Sequence, residues 1–76
     1  MFVYNENSAR KVLTPWGKEV RKRLIDRNMM QMDLVKILKE KGFNVHKATI
    51  SHLLYGIGVS ARTEEIKVIN SVLGIE

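Results

Sequence analysis

The chain has 76 residues, 45% of them hydrophobic and 28% charged, and no cysteine. A chain of this length makes one small domain that buries roughly 60% of its unfolded surface, and the composition is that of a globular rather than a disordered protein. Without cysteine, neither disulfides nor a cysteine zinc site can support the fold, and no apolar run approaches the roughly 18 residues of a membrane span.

The formal charge of +5 is unevenly spread. Residues 1–28 carry seven Lys/Arg against three acids (+4), residues 29–56 four against two (+2), and residues 57–76 two against three (−1). A basic excess over the first two-thirds of a chain suits a polyanionic partner, although a solvated basic face explains it equally well until a motif is added. The start, MFVYNENSARKVL, has neither the basic opening nor the continuous apolar segment of a secretory signal, so a cytoplasmic protein is expected.

In chain order, residues 1–13 show no helical period and read as an N-terminal arm or leader ahead of a domain spanning 14–76. Thr14-Pro15 opens the first helix, threonine as cap and proline at the first position, where it loses no internal bond. Trp16, Val20, Leu24 and Ile25 recur as its buried stripe, and Asn28 ends it. A second helix runs from Met30 or Gln31 to Lys41 with Leu34, Val35, Ile37 and Leu38 inward and Gly42 at its end. Met29, Met30 and Met32 cluster at its start, chiefly as core filler. Phe43 or Val45 must cover the core at the bend.

The third helix spans His46 or Lys47 to Tyr55. Ile50, Leu53 and Leu54 point inward, which leaves Lys47, Ala48, Thr49, Ser51, His52 and Tyr55 for the outer surface. A helix that is small, polar and basic outside suits the DNA major groove, which admits one helix and displays a distinct donor and acceptor pattern for each base pair. Gly56-Ile57-Gly58 then breaks the chain, and Ser60 can cap a last helix with Glu64 and Glu65 in its first turns. Its buried stripe is Ile66, Ile69, Val72 and Leu73, and Gly74 stops it.

Catalytic and metal readings are weak. His46 and His52 do not share a helical face and have no evident third ligand. Ser51 beside His52 lacks the third group that would hold a base in place, and there is no glycine-rich phosphate loop. No catalytic residue, metal or cofactor is expected. Binding of single-stranded RNA is less attractive than duplex DNA, because of the aromatics only Tyr55 looks available as a stacking platform.

The segments Met30-Gln31-Met32-Asp33-Leu34-Val35 and Val45-His46-Lys47-Ala48-Thr49-Ile50-Ser51, followed by Gly56, resemble the helix-turn-helix of lambda-type phage repressors and Cro proteins, the XRE family. The opening Thr14-Pro15-Trp16-Gly17-Lys18 and Leu24-Ile25-Asp26-Arg27-Asn28-Met29 are similar to small regulators of phages and mobile elements. The resemblance covers residues 14–75 and implies an all-α compact bundle of four to five short helices. It further implies a sequence-specific regulator that binds a double-stranded DNA operator as a homodimer. By the same resemblance, Lys47, Ala48, Thr49, Ser51 and His52 would read bases, and Gln31, Tyr55 and Arg62 would hold phosphates. The chain departs from the family at Met30 and His46, where side-chain caps are usual, and in a longer link between the two helices. The alternative on the same fold is a protein-interaction module, an anti-repressor or antitoxin. Its protein partner would be RNA polymerase, a repressor or a toxin.

Overall fold

The chain turns where asparagine or glycine lets it turn. In the computed structural model, which describes residues 12–75, four α-helices follow one another: α1 (Pro15–Asp26), α2 (Gln31–Glu40), α3 (Lys47–Leu54) and α4 (Thr63–Leu73). A single 3-10 turn (Val59–Ala61) lies between α3 and α4, and there is no strand among the described residues. Just past the helix ends stand Asn28 (φ 56°), Gly42 (94°), Gly56 (81°) and Gly74 (70°). The next amide then folds back onto the last turn: Met29 to Leu24, Phe43 to Leu38, Ile57 to His52 and Ile75 to Asn70, at 2.8–3.0 Å. Left-handed termini of this kind satisfy carbonyls that the helix leaves without partners.

The helix starts differ. The Thr14 hydroxyl accepts the Gly17 N–H at 2.9 Å, with Pro15 in the first position. Met30 and His46 supply no side-chain cap. Instead the Asp33 carboxylate accepts the Met30 N–H at 2.7 Å, and the Thr49 hydroxyl accepts the His46 N–H at 3.2 Å. The third residue of each helix thus reaches back to do half the work of a capping box. Ser60 does not cap α4, contrary to expectation. Left-handed Gly58 (φ 73°) starts the 3-10 turn, and Arg62 takes the cap position without a side-chain bond to α4's amides.

The core comprises Val20 and Leu24 of α1, Leu34, Val35 and Leu38 of α2, Val45 of the link that follows, Ile50, Leu53 and Leu54 of α3, and Ile69 and Leu73 of α4. Phe43 packs half-buried against it, so Phe43 and Val45 together close the bend. Ile66 and Val72 lie at its edge rather than its centre. Ile25 is a correction: it is 73% exposed, not buried. One residue past Leu24 is about 100° around the helix, which carries Ile25 off the stripe that Gly17, Val20 and Leu24 define.

α3 rests on α1 and α2, and α4 rests on the same two helices. Gly17 is buried where α1 meets the end of α3, and a Cβ there would collide with the backbone of Leu54. At that crossing the Thr14 amide and hydroxyl both donate to the Leu54 carbonyl at 3.1 Å. Beside it, in the same first turn of α1, the Trp16 indole N–H donates to Asn70 Oδ1 at 2.6 Å, tying α1 to α4.

Candidate nucleic-acid interface

Three wholly buried side chains set the orientation of α3: Ile50, Leu53 and Leu54. At about 100° per residue the opposite arc is centred between Ala48 and His52, and both are exposed. Thr49 and Ser51 flank that arc and are half-buried, while Lys47 is exposed in the first turn. α3 carries no acidic residue. One helix therefore gathers Lys47, Ala48, Thr49, Ser51 and His52. The Thr49 hydroxyl already accepts the His46 N–H, which leaves its own proton to donate outward. Tyr55 is half-buried at the C-cap.

Gln31 is the first residue of α2 and lines an open groove of about 150 Å³ with Arg21, Leu24, Ile25 and Met29. Arg21 beside Gln31 was not singled out from the sequence; the signal was its place on the basic helix, four residues before Ile25. A second groove of about 190 Å³ runs between α3 and the 3-10 turn, lined by Thr49, His52, Leu53, Ile57, Gly58, Ala61 and Arg62.

Arg62 is not simply extended to solvent. Its Nη1 donates to the Asn44 carbonyl at 3.1 Å and to Glu65 Oε2 at 2.9 Å. Glu65 is 8% exposed, the only charged side chain in the core region of the described residues. Neither partner of Arg62 was legible in the sequence.

The exposed charge from α1 through α3 is mostly positive. Every Lys and Arg from Lys18 to Lys47 is exposed except Arg23, and Arg23 alone of them pairs with a described acid. Arg23 donates to Glu19 at 2.6 Å, which holds the Glu19 carboxyl below its ordinary 4.5. Its Nη1 also bonds the Leu73 and Gly74 carbonyls at the end of α4, a favourable place for a cation.

Among the described residues, no three His, Cys, Asp or Glu side chains come together as a metal site. No described helix is long and apolar enough to cross a membrane. Compared with known proteins, the chain matches no family model, no curated protein and no solved structure.

Proposed function

We propose that the chain is a sequence-specific double-stranded-DNA-binding regulator of the lambda-repressor and Cro type. In this reading α2 and α3 act as a helix-turn-helix, and α3 enters the major groove. The observation that carries it is the outward arc of α3, Ala48 and His52 flanked by half-buried Thr49 and Ser51, standing on the buried Ile50, Leu53 and Leu54, with exposed Lys47 at the first residue of the helix. Lys47 would reach guanine O6 and N7, the Ala48 methyl would meet a thymine methyl, and His52 would read a neighbouring base edge, with Ser51 and Thr49 contacting bases or phosphates at the margins. Gln31, the opening amides of α2 and Arg21 would bind the phosphate backbone, and Tyr55 would fix register. A homodimer on a near-palindromic operator follows from the same reading, with half-sites about one helical turn apart. So does a place in the switch of a phage or mobile element.

The experiment is an unbiased selection of bound duplexes from random DNA, followed by titration at several salt concentrations. Gln31→Ala should weaken binding to selected and scrambled duplexes alike and flatten the salt dependence by about 0.9 per lost phosphate contact. Lys47→Ala and His52→Ala should mainly relax discrimination, by about 1–3 kcal/mol for a good base contact. Equal losses from all three would reject the division between reading and anchoring.

A second reading has one specific observation in its favour. Ile25, Met30 and Met32 are 73%, 69% and 39% exposed around the junction of α1 and α2. Exposed apolar side chains gathered at one junction suit a protein partner, as an anti-repressor or antitoxin would require. Co-elution with a repressor, toxin or RNA polymerase at physiological salt, without any duplex shift, would favour it.

A further inference from the structure

We infer that Arg62 and Glu65 are positioning residues: together they set the angle at which α3 is presented and do not themselves touch DNA. The inference rests on the DNA-binding reading and reassigns Arg62 within it. The Asn44 carbonyl lies one residue before Val45, which is fully buried, and two before His46, the cap of α3. Arg62 occupies the cap of α4. Its Nη1 spends its two N–H groups on Asn44 and Glu65, at 3.1 and 2.9 Å. The side chain thus joins the start of α4 to the entrance of α3 across 18 residues.

Two features make this join matter. Residues 41–46 link α2 to α3, longer than the tight turn that fixes the angle of a helix pair by its length alone, so the entrance depends on the packing of Phe43 and Val45 and on the Arg62 bond to the Asn44 carbonyl. In addition, α3 and α4 each rest chiefly on α1 and α2 rather than on each other, which leaves Arg62 as the polar strut between their starts. Glu65 gives the strut its direction. A carboxylate that is 8% exposed is stable only with a partner, and its place in the first turn of α4 is favourable to negative charge. It therefore holds the guanidinium beside the exposed Asn44 carbonyl. A tilt of α3 would displace every base contact at once while leaving the anchoring groups of α2 in place.

The test uses the full chain, a duplex recovered by selection and a scrambled duplex. Replacing the pair by apolar residues of similar size, Arg62→Met with Glu65→Leu, leaves no buried charge without a partner, so folding should persist while the strut to Asn44 is gone. The ratio of affinities for the selected and scrambled duplexes should fall about tenfold or more, with the salt slope unchanged. An intact ratio with a slope reduced by about 0.9 would make Arg62 a phosphate contact and overturn the inference. Glu65→Gln gives opposite outcomes. Positioning lowers the ratio, whereas a freed phosphate-binding arginine tightens both complexes and leaves the ratio alone. Amide exchange decides the matter without DNA. Thr49 and Ile50, whose amides bond the His46 carbonyl, should exchange severalfold faster in the double variant while core amides of α1 do not change. Equal protection at those two amides refutes the strut. If the wild-type chain prefers no duplex, the DNA reading fails by itself, and exchange alone then judges the strut.

Discussion

Gly17→Ala sets two physical effects of opposite sign against each other. Judged as a helix residue, alanine is the better choice, by up to about 1 kcal/mol. Judged by its surroundings it is the worse one, because the new Cβ points into the backbone of Leu54 and has no flexible side chain to push aside. Overpacking of this kind costs about 1–3 kcal/mol. The shift needed to relieve it also strains the two Thr14 bonds to the Leu54 carbonyl, each worth about 1 kcal/mol. Taking a middle steric cost and the loss of one bond, the net destabilisation is about 2 kcal/mol. For a domain of this size that is a fall in Tm of roughly 8–16 °C. Thermal unfolding followed by circular dichroism reads it directly, with urea titration giving the free energy. A Tm equal to or above that of the wild type would mean that helix propensity outweighs contact, and that α1 does not press against the end of α3 as described. The same change should weaken binding to a selected duplex, since α1 holds the last turn of the helix assigned to the groove.

Other consequences are as direct. Ile25→Glu should leave stability within about 0.5 kcal/mol of wild type, because the side chain is exposed, whereas Val20→Ala, at a fully buried site, should cost about 1–3 kcal/mol; urea titration of both variants checks the contrast. Trp16→Phe removes the indole donor to Asn70 and should lose about 1 kcal/mol, and a double-mutant cycle with Asn70→Ala should show coupling of similar size. The Glu19 carboxyl is held below its ordinary value by the hydrogen bond from Arg23, so its contribution to stability is present above about pH 4.5 and is lost as the pH falls through the lowered value. Urea titrations of wild type and Glu19→Gln should therefore differ near neutral pH and converge in acid.

The helix ends were the most legible part of the chain, because their causes are local. Thr14-Pro15, Asn28, Gly42, Gly56 and Gly74 each act within a few residues of themselves, and the boundaries fall at or beside them. Ile25 was misplaced because an apolar residue beside a buried one counts toward a stripe in the sequence even when the helix has turned it away. Gly17 belongs to that stripe, but a hydrogen atom in place of a side chain leaves no hydrophobic signal. Ser60 looked like a cap because its type and spacing fit, and a 3-10 turn set by Gly58 displaced it. The apolar triplet of α3 identifies its buried side and leaves Ala48 and His52 exposed opposite it, whereas Thr49, Ser51 and Tyr55, also expected outside, are half-buried at the flanks. The partners of Arg62 and Trp16 could not be read, since those bonds join residues 18 and 54 positions apart, and neither spacing nor composition encodes them.

Entry of α3 into the major groove is tested most directly by a map of backbone amide shifts on adding a selected duplex at physiological salt. The largest changes should fall from Lys47 to His52 and at Gln31, with the acidic start of α4 around Glu64 little affected. Changes confined to Ile25, Met30 and Met32, or an absence of saturable binding to any duplex, would contradict groove entry.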